Sequence, residues 1–172
     1  MSPRAAWRLE TLGFEEVYWY AGGKADWMAS GLPIEGSEAR IPRIGDHARR
    51  DVPTCGPDER IADVRARVRA AKWNTCFVVT AERVVLGRLH NRELDGDGAQ
   101  RASDVMRSGP STFRPDVTVH DMLEHMREHK LTTAPVTTSD GTLIGLALIE
   151  ELEAAHGGVS ARTSSRRRGW PR

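Results

Sequence analysis

Two histidines four positions apart are the first residues whose spacing could carry chemistry. The run His125-Met-Arg-Glu128-His129 has the H-x-x-E-H spacing of inverted zinc proteases, and side chains at i and i+4 share one helix face. A catalytic zinc site usually needs three protein ligands, and no distant third ligand is evident in the chain. We therefore predict no metal site and interpret this pair as exposed or flanking helix residues.

Nucleophilic and phosphate-binding patterns are sparse. Cys55 and Cys76 have neither the number nor the spacing of a disulfide framework or a zinc site, and they suit a reducing cytosol. Glycine-rich phosphate loops are absent, since Asp95-Gly96-Asp97-Gly98 is acidic and lacks the lysine of a P-loop. The opening residues lack a charged stretch followed by an apolar one, so we expect a cytoplasmic protein.

The elements that must position any functional side chain belong to an internal repeat. With an offset of 58 residues, 44–94 align with 102–152 without a gap and share 14 identities in 51 positions. Chance identity of roughly 6% for average composition would give about 3. We therefore treat each copy as one structural unit.

Each copy predicts the element order β-α-β-β-α. In the first copy a short extended piece (52–55) precedes an amphipathic helix with apolar positions at i, i+3 and i+7. A buried strand (75–79), a second strand (84–89) and a short helix near Asn91 follow. About 50 residues cannot easily bury both faces of so small a sheet, so we expect an α/β (α+β) fold with the copies packed pseudo-symmetrically, face to face.

The repeat resembles a tandem pair of CBS domains, the modules named after cystathionine β-synthase. In the second copy the resemblance rests on Thr112-Phe-Arg-Pro-Asp116, Thr133-Ala-Pro-Val136 and Asp140-Gly-Thr-Leu-Ile-Gly145. In the first copy it rests on Thr54-Cys-Gly-Pro-Asp58. The resemblance covers residues 44–152 and implies a disc with a ligand cleft between the two sheets.

Many CBS pairs bind adenosine nucleotides or related ligands in this cleft. A carboxylate suits the ribose because its two oxygens can accept both hydroxyl hydrogens. Nucleotide-binding members have Thr or Ser three residues after the strand-end glycine, and Asp three residues further. The first copy has His90 and Glu93 at these two positions, and the second has Leu148 and Glu151. A carboxylate therefore remains in each copy, but it is one methylene longer.

The resemblance implies two clefts with AMP, ADP, ATP or S-adenosylmethionine as candidate ligands. We rank the first above the second because His90, with Arg88 and Arg92 nearby, could contact phosphate. The alternative is that Glu93 and Glu151 only complement the positive N-terminus of the last helix of each copy. The residues expected in the first cleft are Thr54, Thr75, Cys76, Phe77, His90 and Glu93. Those expected in the second are Thr112, Thr133, Ala134, Pro135 and Glu151.

The first 36 residues differ from the repeats. Six of the ten aromatic residues fall within the first 27 positions. The pattern predicts a small α-β-α unit: a helix over Arg4–Leu12, a strand over Val17–Tyr20 and a short helix closed by Gly31 and Pro33. Such a unit leaves apolar surface open, so we expect it to pack on the repeats or on a partner chain.

This N-terminal segment resembles the C-terminal end of a rhodanese, a sulfurtransferase domain. The resemblance rests on Leu12-Gly-Phe14, Gly22-Gly23, Trp27 and Gly31-Leu-Pro33. Rhodanese chemistry depends on a cysteine thiolate in a loop just before the first helix, and the chain begins after that point. We therefore expect a truncated remnant without sulfur transfer. A misplaced start site with the real domain upstream is the other interpretation.

The net charge of +1 averages two opposite regions. From Gly157 onwards there are five arginines and no acid, whereas residues 1–156 carry 20 bases and 24 acids. We predict a disordered basic tail that is solvated rather than bound to nucleic acid through Trp170. The longest uncharged apolar stretches, 75–81 and 142–149, are far shorter than the roughly 20 residues of a membrane span.

Together these patterns predict a non-enzymatic regulatory module that senses an adenosine ligand and, by family resemblance, forms a homodimer through its helices. The alternatives are an interaction or structural module with empty clefts and an accessory or remnant of a sulfurtransferase. The expected organisation is an N-terminal segment (1–36), a linker (37–43), repeat 1 (44–95), a linker (96–101), repeat 2 (102–156) and the tail (157–172).

Overall fold

The computed structural model describes residues 3–165. Repeat 1 contains the predicted elements. In repeat 2 the first predicted extended piece forms only an isolated parallel bridge between Phe113 and Val136, and the other predicted elements are present. This confirms the mixed α/β fold. Repeat 1 consists of α3 (Ile44–His47), β1 (Thr54–Cys55), α4 (Ile61–Ala70), β2 (Thr75–Val79), β3 (Val85–His90) and α5 (Asn91–Leu94). Repeat 2 consists of α6 (Ala102–Val105), β4 (Arg107–Ser108), α7 (Val119–Glu128), β5 (Thr133–Thr137), β6 (Leu143–Leu148) and α8 (Ile149–Ser165). The N-terminal segment contributes α1 (Pro3–Thr11), α2 (Gly23–Ala29) and a 3₁₀ helix (Ser37–Arg40).

Each of the two sheets includes an edge segment from the other repeat. Strand β1 runs parallel to β2, β2 and β3 are antiparallel, and β4 of the second repeat adds to β3 of the first. In the other sheet β5 and β6 are antiparallel, and Arg49 from the first repeat forms an antiparallel bridge with Leu146. Each repeat therefore supplies its lead-in segment to the sheet of the other.

A pseudo-twofold axis passes between the two hairpins. Val84 forms an antiparallel bridge with Thr142, the residue 58 positions further along the chain. On either side the Val85 N–H donates to the Gly141 carbonyl at 3.1 Å, and the Leu143 N–H donates to the Arg83 carbonyl at 3.0 Å. Because each bond is the symmetry equivalent of the other, the offset found in the sequence corresponds to a rotation in space.

Equivalent backbone angles recur at equivalent positions. Lys72 and Lys130, which follow the ends of α4 and α7, have φ of 58° and 53°. A left-handed residue commonly ends a helix because the next N–H can then bond back to the last turn. Trp73 and Leu131 make this bond, donating to the carbonyls of Val68 and Met126 at 3.0 and 2.8 Å.

The core is divided between the repeats and joined across the axis. Helix α4 buries Ile61, Val64 and Val68, the stripe that its sequence predicts, against the first sheet. Helix α7 buries its own stripe against the second sheet. A third cluster joins the two sheets through Phe77 of β2 and Leu146 of β6, both fully buried. The face-to-face packing of the copies follows from this shared apolar layer.

The N-terminal segment differs from its prediction in one element. Its helices form, but the predicted strand over Val17–Tyr20 is wrong, since the backbone there belongs to no sheet among the described residues. A strand needs a neighbour for its N–H and C=O groups, and none lies beside this segment. The end of α2 reaches repeat 2, where the Oγ atoms of Ser30 and Ser139 are 3.5 Å apart.

Helix α8 is longer than the short closing helix expected. It continues to Ser165, into the segment 157–172 for which a disordered tail is predicted. Extending an existing helix adds one hydrogen bond for each residue that is fixed, so propagation is easier than nucleation. Residues 166–172 of the predicted tail lie outside the described residues. Across the described part of the chain, none of the helices combines the length and apolar character needed to cross a membrane.

Candidate functional site

Two clefts are related by the pseudo-twofold axis, and we name them cleft A and cleft B. Cleft A has a volume of about 600 Å³, and its lining includes Arg88, His90, Arg107, Phe113, His125, His129, Thr133 and Pro135. Cleft B has a volume of about 580 Å³, and its lining includes Arg49, Lys72, Trp73, Asn74, Thr132, Leu146, Leu148 and Glu150. Both volumes are in the range of small-molecule sites.

The clefts combine the expected residues differently from the sequence grouping. Cleft A brings His90 of repeat 1 together with Thr133 and Pro135 of repeat 2, which were expected in separate clefts. Each sheet is completed by the other copy, so each cleft has walls from both repeats, and Thr133 lines cleft B as well. Thr54, Glu93, Thr112 and Glu151 are not among the residues that line cleft A or cleft B.

Four of the expected ligand contacts are buried. Thr75, Cys76, Phe77 and Ala134 are at most 1% exposed. The Thr75 hydroxyl donates to the Leu89 carbonyl at 2.9 Å. These side chains support the cleft walls from behind and do not present a surface to a ligand.

Arg88 connects the two repeats at the wall of cleft A. Its Nε donates to Thr75 Oγ1 at 2.9 Å, its Nη2 donates to Thr133 Oγ1 at 3.2 Å, and its guanidinium lies 5.3 Å from the centre of the Phe77 ring. Burial lowers the pKa of Arg88, although an arginine stays protonated in proteins. Among the side chains that the structure describes, no carboxylate forms an ion pair with it. A half-buried cation held only by hydroxyl groups is well placed to receive an anion.

Glu93 is already engaged by two donors. Its Oε2 accepts from the His90 backbone N–H at 2.9 Å, and its Oε1 accepts from Arg107 Nε at 3.0 Å. Burial alone would raise the pKa of Glu93, but the hydrogen bonds from His90 and Arg107 outweigh it and lower that pKa. The carboxylate thus caps the first turn of α5, which agrees with the alternative interpretation from the sequence.

Cleft B holds its arginine differently. Arg49 Nε donates to Asp51 at 2.8 Å, and Arg49 Nη1 lies 3.3 Å from Glu151. Its guanidinium also lies 5.1 Å from the centre of the Trp73 ring. Glu151 is therefore bound to Arg49, and this cation already has two carboxylate partners.

Sequence reasoning missed two residues of cleft A, the histidines of the H-x-x-E-H run. The rings of His125 and His129 stack with centres 4.2 Å apart, and His125 also meets the edge of Phe113 at 5.2 Å. Among the described residues there is no group of three or more His, Cys, Asp or Glu side chains that could hold a metal ion. The two histidines occur in only one of the two copies, since α4 has Arg67 and Ala71 at the equivalent positions. This difference between the copies was the sequence signal that could have identified them.

Comparison with known proteins shows what this chain resembles. The family model for the CBS domain matches residues 102–155. The described chain has the fold of CBS-pair proteins. The chain is also 26% identical over 114 residues to the inosine-5'-monophosphate dehydrogenase of Korarchaeum cryptofilum. That match covers 65% of this chain but only 24% of the dehydrogenase, so it spans about a quarter of that relative.

Three solved structures illustrate the fold. CBSX2 of Arabidopsis thaliana in complex with AMP is 19% identical with a TM-score of 0.60, covering 69% of this chain and 98% of that one. The cytosolic domain of the magnesium channel MgtE in complex with ATP is 19% identical with a TM-score of 0.61, covering 69% and 51%. The CBS pair of MJ0100 with 5'-methylthioadenosine and S-adenosylmethionine is 15% identical with a TM-score of 0.58, covering 69% and 98%.

Proposed function

We propose that this protein is a regulatory module that binds an adenosine nucleotide in cleft A. The observation that carries the proposal is Arg88, a half-buried cation held by Thr75 and Thr133 without a carboxylate partner in the described part of the chain. It lines a cleft whose volume suits a nucleotide. Similar folds hold AMP in CBSX2 and ATP in MgtE, and these ligands motivate the choice of nucleotide for this chain.

The charge of cleft A favours AMP, ADP or ATP over S-adenosylmethionine. Arg88 and Arg107 line the cleft, and the carboxylate next to them, Glu93, is occupied by Arg107 and a backbone N–H. Anions are favoured beside such cations, whereas the sulfonium of S-adenosylmethionine is itself a cation. We therefore expect the strongest binding from the ligand with the most phosphate charge.

Calorimetry and thermal shift test the proposal with AMP, ADP, ATP and S-adenosylmethionine at up to about 1 mM. A ligand that binds the native state must stabilise it by mass action, by about 2.7 kcal/mol at one hundred times its Kd. Arg88→Gln should weaken nucleotide binding, and Arg49→Gln in cleft B is the matched control. If none of the four ligands stabilises the protein, the sensing proposal is wrong.

A second candidate is an interaction module whose clefts stay empty. The observation in its favour is Glu93, which has both oxygens engaged and is not free for a ribose diol. The exposed aromatic side chains of the N-terminal segment add a surface for a partner, with Trp7 63% and Tyr18 80% exposed. Retention of a partner by the wild-type chain and by Arg88→Gln alike, with no ligand binding, would favour this candidate.

Three finer assignments remain part of the proposal. We infer a homodimer formed through the outer helices, a cytoplasmic location and a rhodanese-like origin of residues 1–36. Light scattering tests the dimer directly, since a monomer at micromolar concentration would contradict it. The rhodanese-like origin is supported only by the two helices of the segment, because its strand does not form.

A further inference from the structure

Half of the chain's histidines line one cavity. The sequence contains six, and three of them lie at cleft A: His90 at the end of β3, and His125 and His129 on α7. These residues come from both repeats, so only the folded chain brings them together. The other three, which do not line cleft A, are His47, His120 and His156.

The geometry of the pair on α7 determines which nitrogen can take up a proton. His129 Nδ1 lies 3.0 Å from the His125 backbone carbonyl oxygen. A carbonyl oxygen only accepts, so Nδ1 carries the hydrogen and donates it, and Nε2 is the nitrogen that gains a proton. With ring centres 4.2 Å apart, two charged imidazolium rings would repel each other. An anion close to both would relieve this repulsion.

The other charges around these histidines are mostly positive. Arg88 and Arg107 line the same cleft. Glu93 is already bound by Arg107. Glu128 lies 3.9 Å from His129 Nδ1, and the side chains of His129 and Glu128 are 53% and 78% exposed. Solvent screens the Glu128 charge strongly at that exposure. The cleft therefore has cations along its wall and lacks an unengaged acid among the described residues that line it.

We propose that His90, His125 and His129 form, with Arg88 and Arg107, an anion subsite in cleft A that takes a dianionic phosphoryl group together with protons. The proposal rests on the proposed function only in placing the ligand in cleft A. An anion held by Arg88 and Arg107 stabilises the protonated form of each nearby imidazole. Ligand binding and proton uptake are therefore linked, and each favours the other.

The sign of the pH dependence follows from this linkage. A bound anion favours the charged form of each imidazole over the neutral form. The gain in affinity is complete below the titration midpoints of the free protein and is lost as the pH rises through those of the complex. If the three shifts together amount to one pH unit, the anion binds about tenfold more tightly at pH 5.5 than at pH 8.0.

Sulfate is the first probe, because it stays a dianion across this range whereas a phosphate monoester titrates near pH 6. Proton NMR follows all six histidines of the wild-type chain with and without sodium sulfate, at constant ionic strength set by chloride. We expect the titration midpoints of His90, His125 and His129 to move to higher pH in sulfate. Those of His47, His120 and His156 should stay in place.

A matched pair of variants tests the residues themselves. His125→Gln/His129→Gln removes the pair in cleft A, and His120→Gln/His156→Gln removes a second stacked pair outside it, whose ring centres are 5.5 Å apart. We expect the first variant, which removes two of the three histidines, to weaken sulfate and AMP binding about fourfold at pH 6 and little at pH 8. The second variant should bind as the wild-type chain does at both.

The outcomes separate this proposal from the proposed function. If AMP binds but its affinity and that of sulfate do not change with pH, and the cleft histidines do not respond, the subsite is wrong and the nucleotide proposal stands. If sulfate moves the three histidines but none of AMP, ADP and ATP binds, the subsite is supported and the nucleotide proposal is wrong. If neither sulfate nor any of the three nucleotides binds, both are wrong.

Discussion

Clefts A and B share one backbone framework and differ in the side chains along it. The axis relates Arg88 to Leu146 and His90 to Leu148. The wall that carries charged or polar side chains in cleft A is therefore apolar in cleft B. Arg49 of cleft B corresponds to Arg107 of cleft A, and each is bound by a glutamate. Arg88, held by two hydroxyl groups, has no charged counterpart in cleft B. The repeat therefore determines the shape of the clefts, and the side chains that break its symmetry determine which ligand each can take.

The largest effect is expected where the two lead-in segments meet the sheets. A Cβ at Gly145 would lie 2.5 Å from the Arg49 carbonyl oxygen, which accepts the Leu146 N–H at 3.0 Å. Gly145→Ala must displace this backbone bridge beside cleft B. We expect it to lower the free energy of unfolding by about 2–3 kcal/mol in urea denaturation.

The equivalent substitution in the other copy is the control. A Cβ at Gly87 would meet the flexible end of Met106 first, and the Arg107 carbonyl oxygen at 3.0 Å. Since a methionine side chain can move aside, we expect Gly87→Ala to cost about 1 kcal/mol. An equal loss from both substitutions would show that the two edges are packed with the same tightness.

The second prediction makes cleft A resemble cleft B. Arg88→Leu installs the residue found at the equivalent position, Leu146, and should weaken AMP at least about tenfold, or about 1.4 kcal/mol. Stability should change little, because the variant removes a desolvated charge along with its two hydrogen bonds. Calorimetry measures the affinity, and Arg49→Leu in cleft B should leave it unchanged. Unaltered AMP binding to Arg88→Leu would remove cleft A as the site.

The fold could be predicted because its signals are local or repeated. The apolar stripe of α4 and the repeat offset of 58 residues are both visible in the amino-acid sequence, and both correspond to observed structure. The exchange of edges was not visible, since β4 is only two residues long and its partner strand belongs to the other repeat. Val17–Tyr20 shows the converse, because a strand-like pattern forms no strand without a neighbour.

The site was harder to predict than the fold. His90 was identified from its place after a strand-end glycine, and it lines cleft A. His125 and His129 were set aside because no distant third metal ligand is evident. The other copy has no histidine at the equivalent positions. In a repeat protein such a difference is informative, because packing alone would accept the residues used by the other copy. The combination of His90 with Thr133 depends on the axis, which no single-copy pattern contains.

The third prediction concerns the aromatic wall of cleft B. Trp73→Leu installs the residue that the equivalent position of cleft A has, Leu131, and removes the ring beside Arg49. We expect a loss of about 1 kcal/mol in the free energy of unfolding, from the lost cation–π contact and ring burial. AMP affinity should stay the same. A clear fall in affinity, measured by calorimetry, would place the nucleotide in cleft B.

The smallest effect concerns acid stability. Burial, and then the nearby Arg88 charge, lowers the pKa of His90. The unfolded chain takes up this proton near pH 6.5 and the folded chain only at lower pH. The contribution of His90 to stability is therefore present above about pH 6.5 and is lost as the pH falls below it.

His90→Leu introduces the residue that the other copy has at this position, Leu148. The substitution keeps the backbone N–H at position 90, which donates a hydrogen bond to Glu93. Thermal melting at pH 7.5 and pH 5.5 in chloride should therefore show a smaller acid-induced drop in Tm for the variant than for the wild-type chain. Identical drops would mean that His90 in the folded chain titrates as it does in the unfolded chain, and that His90 adds nothing to the electrostatic difference between the clefts.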